Sequence, residues 1–211
     1  MDRSSLAIII PAYNEGVTIV SIVQEVIAFG MPIVVDDGST DKTACLALDA
    51  GAEVISHISN LGYDAALNSG FIHANKIGCD FALTMDADGQ HNPSLLPVFI
   101  DALEKGADVV IGVRDRRQRI AEDLFAAVSN LMWGIRDPLC GMKAYRMELY
   151  RMLGHFDAYN SIGTELVIFA ARQHKIISQL SVFTNEREGT PRFGRKLSAN
   201  LQIIKALFKA F

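Results

Sequence analysis

Two aspartates separated by a single residue end an apolar run in the stretch LTMDADGQHNPS, residues 83–94. Carboxylates are costly at the end of a strand that is about to be buried, unless they bind something. Asp86 and Asp88 could hold a hard divalent cation through oxygen ligands, and Mg²⁺ or Mn²⁺ would bridge them to a substrate's phosphates. An isolated D-x-D pair also occurs in turns and helix caps, so its meaning depends on the elements around it.

Short runs rich in β-branched residues alternate with helical patterns along the first half of the chain. Strands are predicted at 6–12, 32–37, 52–56, 80–86 and 107–113, and helices at 17–29, 41–50, 64–77 and 93–105. Asn92 before Pro93 is a typical helix start. Apolar strands that alternate with helices favour a mostly parallel sheet with helices on both faces. We therefore expect a single α/β domain whose C-terminal third is less regular.

Polar residues follow all five predicted strands, at the carboxyl ends where sheets of this kind bind ligands. They are Asn14 and Glu15, Asp36 and Asp37, Asn60 and Gly62, Asp86 and Asp88, and Arg114. One polar strand end is an ordinary helix cap, whereas five at one edge favour a binding site. The sequence contains neither G-x-G-x-x-G nor G-x-x-x-x-G-K-[ST], which opposes the dinucleotide and P-loop interpretations.

Composition narrows the class of protein. Half of the 211 residues are hydrophobic and 21% are charged, which is enough apolar material for a full core. Three scattered cysteines favour neither a disulfide framework nor a zinc site and fit a reducing cytoplasm. No apolar run approaches the ~18–20 residues that span a bilayer, so we expect a soluble or peripheral protein. An acidic body with a basic end opposes general nucleic-acid binding.

Six motifs follow one another along the chain: IIIPAYNEG (8–16), VVDDGSTDKT (34–43), NLGYDAALNSGF (60–71), DADGQHNP (86–93), IGVRD (111–115) and DPLCGMKAYR (137–146). Together they resemble family 2 glycosyltransferases, and within that family the dolichyl- or polyprenyl-phosphate sugar synthases. The resemblance implies a GT-A-type, Rossmann-like domain over residues 1–190. It also implies a nucleotide-sugar donor, Mg²⁺ or Mn²⁺, inversion at the anomeric carbon and a lipid-linked acceptor such as polyprenyl phosphate.

The resemblance also implies roles for individual residues. The donor would be bound by Pro11, Tyr13, Glu15, Val35, Asp37, Asp86, Ala87, Gln90, Arg187 and Arg192. The metal would be held by Asp86, Asp88 and Gln90, with Asp88 as the first choice of ligand. Asp36 would be structural. His91 is either a further ligand or, the interpretation we favour, a neighbouring surface side chain. Arg114 would meet a phosphate, because the five donors of a guanidinium suit a bidentate contact. The alternative is a solvated arginine in a loop.

The nature of the acceptor decides whether a base is needed. A phosphate monoester has its second pKa near ~6 and is mostly dianionic at neutral pH, so it needs cationic positioning rather than proton removal. A sugar hydroxyl of a growing cell-surface glycan, the alternative acceptor, needs a general base. Glu165, at the start of a predicted helix, is either that base or a first-turn acid favoured by the helix dipole. Asp137 either shapes the acceptor pocket or caps a turn.

Two functions of other classes remain as alternatives. A non-catalytic scaffold on the same fold has no need of the charges at Asp37, Asp86, Asp88 and Arg114. A nucleotidyltransferase also uses paired acids and a metal, but it needs a glycine- and basic-rich N-terminal loop, whereas the first strand here runs into PAYNEG. His57, His73, His155 and His174 are expected to be surface or packing residues.

Residues 191–211 predict a basic amphipathic helix. Its apolar stripe consists of Leu197, Leu201, Ile204, Phe208 and Phe211, widened by Ile203 and Leu207. The helix either docks on the body or lies on an anionic cytoplasmic leaflet. In the second case residues 194–211 would give a peripheral membrane contact, and the enzyme would work at the cytoplasmic face of a membrane.

Overall fold

A single seven-stranded sheet organises the protein, whose computed structural model describes residues 2–117, 119–183 and 196–209. The strands are β1 (Leu6–Ala12), β2 (Met31–Asp36), β3 (Glu53–Ser56), β4 (Phe81–Thr84), β5 (Val109–Arg114), β6 (Lys143–Arg146) and β7 (Ile177–Val182). Their order is β3-β2-β1-β4-β6-β5-β7. Every neighbouring pair is parallel except the two that β6 makes, with β4 and with β5. The predicted mostly parallel sheet is confirmed.

Helices cover both faces of this sheet, as predicted. They are α1 (Ile19–Val26), α2 (Thr43–Asp49), α3 (Tyr63–Lys76), α4 (Leu96–Glu104), α5 (Ile120–Trp133), α6 (Met147–Leu153), α7 (Glu165–Arg172) and α8 (Lys196–Lys209). A short 3-10 turn, Pro93–Leu95, leads into α4, and the Asn92 side chain accepts a hydrogen bond from the Ser94 N–H at 2.9 Å. The predicted start at Asn92 and Pro93 is therefore confirmed.

Both faces of β1 are buried because its side chains are apolar on either side. Ile8 and Ile10 pack in one cluster with α1, α2 and α4, and Ala7 and Ile9 pack in a second cluster with α3, α6 and α7. Gly70 of α3 lies against Ile9, where a β-carbon would overlap the isoleucine side chain. Close packing of α3 on β1 fixes where the amino end of α3 meets the sheet edge.

Within residues 141–183 and 196–209, the C-terminal third contains more regular structure than the sequence led us to expect. These residues contain β6, β7 and three helices, α6, α7 and α8. β6 has the sequence KAYR, with only two apolar residues, and most of β7 is half-buried at the sheet edge. Neither strand therefore produces the continuous apolar run that identified the first five.

Helix α8 is present where the sequence predicts a helix, and it docks on the body. Ile203, Ala206 and Leu207 are buried against Ala121, Phe125 and Ile168 of α5 and α7. The docked side is centred on Ile203 and Leu207, which were predicted only to widen the stripe, whereas Leu201 is 55% exposed and Phe208 is 76% exposed. Leu197 and Phe211 lie outside the residues whose side chains the structure describes.

Candidate functional site at the carboxyl edge of the sheet

The loops after β1, β2 and β3 interlock at the carboxyl edge of the sheet. Asn14, in a left-handed conformation with φ of 55°, donates its N–H to the Ser39 hydroxyl at 2.8 Å. Its side-chain oxygen accepts the Thr40 N–H at 2.7 Å. Asp37 in turn accepts the N–H groups of Leu61 and Gly62 at 2.9 and 2.8 Å. Three of the five predicted polar strand ends are thus joined by hydrogen bonds between their loops.

The same bonds change the expectations for the donor-side residues. Asp37 is 4% exposed, and its carboxylate also lies 2.7 Å from His57 Nδ1, so its oxygens are engaged by the protein. Val35 is fully buried in the core. The geometry therefore opposes direct nucleotide contacts for Asp37 and Val35. Asp36 accepts the Ser39 N–H at 3.3 Å, which fits its predicted structural role.

The remaining donor-side predictions fall on residues at or near this edge. Pro11 and Tyr13 are half-buried, and Glu15 is 7% exposed. Ala87 is buried, and its carbonyl accepts the Thr18 hydroxyl at 2.6 Å, which ties the D-x-D segment to the start of α1. Arg187 and Arg192 lie outside the described residues. The roles assigned to these residues stay predictions.

The D-x-D segment directly follows β4. Asp86 keeps 31% of its side chain exposed, and its Oδ1 accepts the Tyr63 hydroxyl at 3.2 Å. Asp88 accepts the Gln90 N–H at 3.1 Å. His91 is only 5% exposed, so its placement as a surface side chain is wrong. The Asp86 N–H donates to His91 Nδ1 at 3.2 Å, so the histidine supports the turn between the two acids and Asn92.

Three residues around Asp86 were not predicted. Tyr63 donates to the carboxylate, and burial together with the Asp86 charge raises the Tyr63 pKa well above its usual value, which keeps the hydroxyl protonated. Gly141 leaves no room for a side chain, because a β-carbon there would lie 2.7 Å from Asp86 Cγ. Lys143 is buried below the site, and its Nζ donates to the Gly163 carbonyl at 2.9 Å.

Gly141 and Lys143 were missed because β6 was missed. β6 is antiparallel to β4, so its first residue lies at the carboxyl edge, with Lys143 opposite Thr84. Gly141 and Lys143 do occur in the motif DPLCGMKAYR, so a signal was present in the sequence. It carried no information on where the motif lies relative to Asp86.

The oxygen-bearing side chains at this edge fit a divalent cation that takes few ligands from the protein. Across residues 2–117, 119–183 and 196–209, no group of three or more His, Cys, Asp or Glu side chains could hold a metal ion. Mg²⁺ commonly uses one or two carboxylates and completes its shell with water and substrate phosphates. The chemistry of Asp86, Asp88 and the Gln90 amide therefore fits Mg²⁺ or Mn²⁺ bound together with a diphosphate.

Arg114 is held by acids rather than open to a ligand. Its Nε and Nη2 donate to the two oxygens of Asp137 at 2.8 and 2.9 Å, and its backbone N–H donates to the same carboxylate at 3.1 Å. Glu122 lies 3.2 Å from Nη2. Burial lowers the pKa of Arg114, but the bonds to Asp137 outweigh it and leave the pKa raised. The bidentate phosphate contact stays a prediction, and this geometry weighs against it.

Asp137 therefore has a definite place. It is 1% exposed, and it neither caps a turn alone nor lies open to an acceptor, since it grips the Arg114 guanidinium. Glu165 begins α7, as predicted. Its carboxylate is 2.9 Å from His155 Nε2 and accepts the Ala158 N–H at 2.6 Å. Its role as a base stays a prediction.

Comparison with known proteins decides the family. Residues 7–154 match the family model described as Glycosyl transferase family 2, which is most of the chain. The chain belongs to this family. The matched region of this family 2 protein runs from β1 to α6 and includes Asp86, Asp88, Arg114 and Asp137.

Two of the similar sequences are informative. The undecaprenyl-phosphate 4-deoxy-4-formamido-L-arabinose transferase of Pectobacterium carotovorum is 28% identical over 227 residues, which cover 98% of this chain and 66% of that protein. The enzyme of the same name from Yersinia enterocolitica is 28% identical over 96% of this chain and 65% of its own length. This family 2 protein thus spans about two thirds of the length of these relatives.

A solved structure supports the fold. Glucosyl-3-phosphoglycerate synthase from Mycobacterium tuberculosis, in complex with Mn²⁺ and UDP-glucose, matches with a TM-score of 0.78 at 24% identity. The match covers 98% of this chain and 79% of that one. The GT-A-type fold predicted from the motifs is confirmed. Within its described residues, this family 2 protein has no helix that is both long enough and apolar enough to cross a bilayer.

Proposed function

We propose that this protein transfers a sugar from a nucleotide-sugar donor to polyprenyl phosphate with inversion, and that it uses Mg²⁺ or Mn²⁺. The observation that carries the proposal is the D-x-D pair at the carboxyl end of β4, where Asp86 is fixed by Tyr63 yet remains partly exposed. The proposal is supported by the names of the relatives, which are undecaprenyl-phosphate sugar transferases. Glucosyl-3-phosphoglycerate synthase, which has a similar fold and was solved with Mn²⁺ and UDP-glucose, gives further support.

On the donor side, the protein's task is to fix two carboxylates and a diphosphate in one place. A bound Mg²⁺ or Mn²⁺ supplies positive charge that stabilises the departing nucleoside diphosphate. Asp86 and Asp88 would hold it, with Gln90 beside them. Tyr63, His91 and Gly141 limit the movement of Asp86, so the carboxylate needs little rearrangement when the donor arrives.

On the acceptor side, a phosphate fits the geometry better than a sugar hydroxyl. A phosphate oxygen attacks the anomeric carbon as the bond to the nucleoside diphosphate breaks on the opposite face, and no proton has to be removed. A hydroxyl acceptor needs a base, and the Glu165 carboxylate already accepts the Ala158 N–H and contacts His155. This engagement favours the lipid-phosphate acceptor over the glycan hydroxyl.

We also propose that the basic C-terminal segment, residues 194–211, touches the membrane that carries such an acceptor. α8 has three lysines and no acid in its sequence KLSANLQIIKALFK. Ile203 and Leu207 dock it, while Leu201, Lys205 and Phe208 remain exposed. Docking and membrane contact therefore use different sides of the same helix.

A donor screen tests the proposed function directly. Thermal unfolding is followed with Mn²⁺ and with UDP-, GDP- or dTDP-sugars, and the stabilising donor is then incubated with undecaprenyl phosphate. We expect one nucleotide class to raise the melting temperature only when the metal is present, and mass spectrometry to detect the glycosylated lipid phosphate. A protein stabilised by no nucleotide sugar would contradict the proposal. Transfer to glycan hydroxyls but not to the lipid would contradict its acceptor.

A further inference from the structure

The segment between α6 and α7 contains an unusual run of backbone conformations. Asn160, Ile162 and Gly163 all have positive φ, at 57°, 58° and 65°. A left-handed conformation is costly for a β-branched residue such as Ile162, and it persists only where the surroundings enforce it. Such strain is often found at functional sites. We call residues 157–165 the strained segment.

Two buried side chains of opposite charge form hydrogen bonds with the backbone of the strained segment at Ile162 and Gly163. We call these hydrogen bonds the grip. Asp64 accepts the Gly163 N–H at 2.7 Å with one oxygen and the Ile162 N–H at 3.2 Å with the other. Lys143 donates to the Gly163 carbonyl at 2.9 Å. Asp64 is 9% exposed and Lys143 is 3% exposed. Burying two charged groups costs free energy. Packing alone therefore does not explain why both are buried against the backbone of Ile162 and Gly163.

Asp64 and Lys143 are each connected to Asp86 of the D-x-D pair. Tyr63 and Asp64 are consecutive residues in the first turn of α3; the first donates to Asp86 and the second holds Gly163. Lys143 pairs with Thr84, two residues before Asp86, across β4 and β6. The strained segment is therefore tied to Asp86 from a helix on one side and from a strand on the other.

The position of Lys143 in the sheet indicates which substrate the strained segment would meet. The loops after β1, β2 and β3 lie on one side of β4, whereas β6 and β5 lie on the other. A donor nucleotide held by those loops and the D-x-D pair leaves the β6 side for the acceptor. The strained segment is fastened to that side through Lys143.

We propose that Asp64 and Lys143 are positioning residues, which hold the strained segment at a fixed place relative to Asp86 so that the acceptor phosphate meets the donor correctly. The inference rests on the proposed transfer to a lipid phosphate and adds residues to it. Neither side chain needs to touch a substrate. Misplacing an acceptor by even about 1 Å can cost on the order of 100-fold in rate, which is why such a grip would matter.

Three variants test the grip in the full chain. Asp64→Asn removes one acceptor from the pair of backbone bonds, and Lys143→Met removes the charge with little change in length. Gly163→Ala leaves both charges in place but strains a residue with φ of 65°, where an added β-carbon would meet only ordinary contacts. Leu103→Ala, a fully buried residue of α4 in another cluster, controls for general loss of stability.

The measurements are hydrogen exchange of the Ile162 and Gly163 amides, Mn²⁺-dependent donor affinity, and kcat and KM for undecaprenyl phosphate. We expect faster exchange and a fall of roughly tenfold or more in kcat/KM for the acceptor in all three variants. Donor affinity should stay within about twofold of the wild type. In Leu103→Ala, both the exchange of these amides and acceptor kcat/KM should stay close to the wild type.

The outcomes distinguish a failure of this inference from a failure of the proposed sugar transfer. Faster exchange with unchanged acceptor kcat/KM would overturn the positioning role, as would a loss no greater than that of Leu103→Ala. Unchanged exchange in all three variants would overturn the grip itself. A wild-type protein that transfers to no acceptor would overturn the proposed function and the positioning role with it, while the exchange result would still judge the grip.

Discussion

At the scale of single residues, the carboxylates of the sheet edge differ in what already binds them. Asp37 and Asp137 are 4% and 1% exposed, and backbone N–H groups, His57 or Arg114 engage their oxygens. Asp86 has 31% of its side chain exposed and one oxygen facing Tyr63. The first pair stabilises loops, whereas Asp86 keeps the exposure that the proposed metal–diphosphate site requires.

This division predicts different results for two alanine variants. Asp88→Ala should abolish turnover and metal-dependent nucleotide affinity, and the free energy of unfolding should fall by only about 1–2 kcal/mol, because the Gln90 N–H loses its partner. Asp37→Ala should instead destabilise the fold by roughly 2–4 kcal/mol, because the Leu61 and Gly62 N–H groups and His57 lose their partner. Nucleotide titration and urea unfolding measure both. A folded Asp88→Ala protein with normal transfer would refute the metal role.

Arg114 gives a second test at this scale. Arg114→Lys keeps the charge but loses the planar fork that binds both oxygens of the buried Asp137. We expect the free energy of unfolding to fall by about 1–3 kcal/mol and activity to fall with it. Asp137→Asn should produce a similar loss of stability. If Arg114→Lys is as stable as the wild type but loses affinity for the acceptor, the phosphate contact is right and the structural role is wrong.

Lys143 predicts a particular dependence of stability on pH. Burial lowers its pKa from 10.5 to about 8, while nearby Cys140, Asp137 and Asp86 oppose the shift. Between pH 8 and 10.5 the unfolded chain therefore binds more protons at this lysine than the folded chain does. The lysine's contribution to stability should rise with pH across that window. Lys143→Met should remove the rise, measured as the difference in unfolding free energy between variant and wild type at each pH.

At the scale of elements, sequence patterns predicted best the strands that are held mainly by burial of their own apolar side chains. β1, β2, β4 and β5 are apolar runs whose side chains are mostly buried, so their composition identifies them, whereas β3 is a half-buried edge strand. β6 escaped prediction because its neighbours β4 and β5, rather than its own composition, determine its position. The partners of Asp37 and Arg114 could not be predicted for the same reason, since they come from distant loops.

Helix α8 offers a matched pair of substitutions at the element scale. Ile203 is 2% exposed against α5 and α7, whereas Leu201, of the same size on the same helix, is 55% exposed. Ile203→Ala should cost about 2–4 kcal/mol of unfolding free energy, and Leu201→Ala no more than about 0.5 kcal/mol. Chemical denaturation measures the difference. Equal effects would mean that α8 does not dock through the Ile203 side.

At the scale of the whole molecule, the sheet separates two tasks. The loops after β1 to β3 are interlocked on the donor side, and β5, β6 and the segment before α7 form the other side of the D-x-D pair. α5 and α8 pack together and present apolar side chains to the outside: Ile120, Leu124, Leu131, Leu201 and Phe208. Exposed apolar patches of this kind mark interaction surfaces.

The proposed membrane contact makes the last prediction, and it concerns the intact protein. Lys205 lies on the exposed part of α8 beside Leu201 and Phe208, and Lys209 also reaches the Tyr159 carbonyl at 2.8 Å. We expect salt-sensitive flotation with vesicles that contain anionic lipid, because each basic residue near such a surface contributes ~1 kcal/mol. Lys205→Glu combined with Lys209→Glu should weaken binding by about tenfold or more.

A control of equal charge change makes this result specific to α8. Lys76→Glu combined with Lys105→Glu alters two exposed lysines elsewhere on the molecule and should leave flotation close to that of the wild type. Phe208→Ser should weaken binding without changing its salt dependence, since it removes apolar contact and keeps the charge. If the wild type fails to float at low salt, or both double variants lose binding equally, α8 is a docked helix without a membrane role. Polyprenyl phosphate would then have to reach the D-x-D site by another surface.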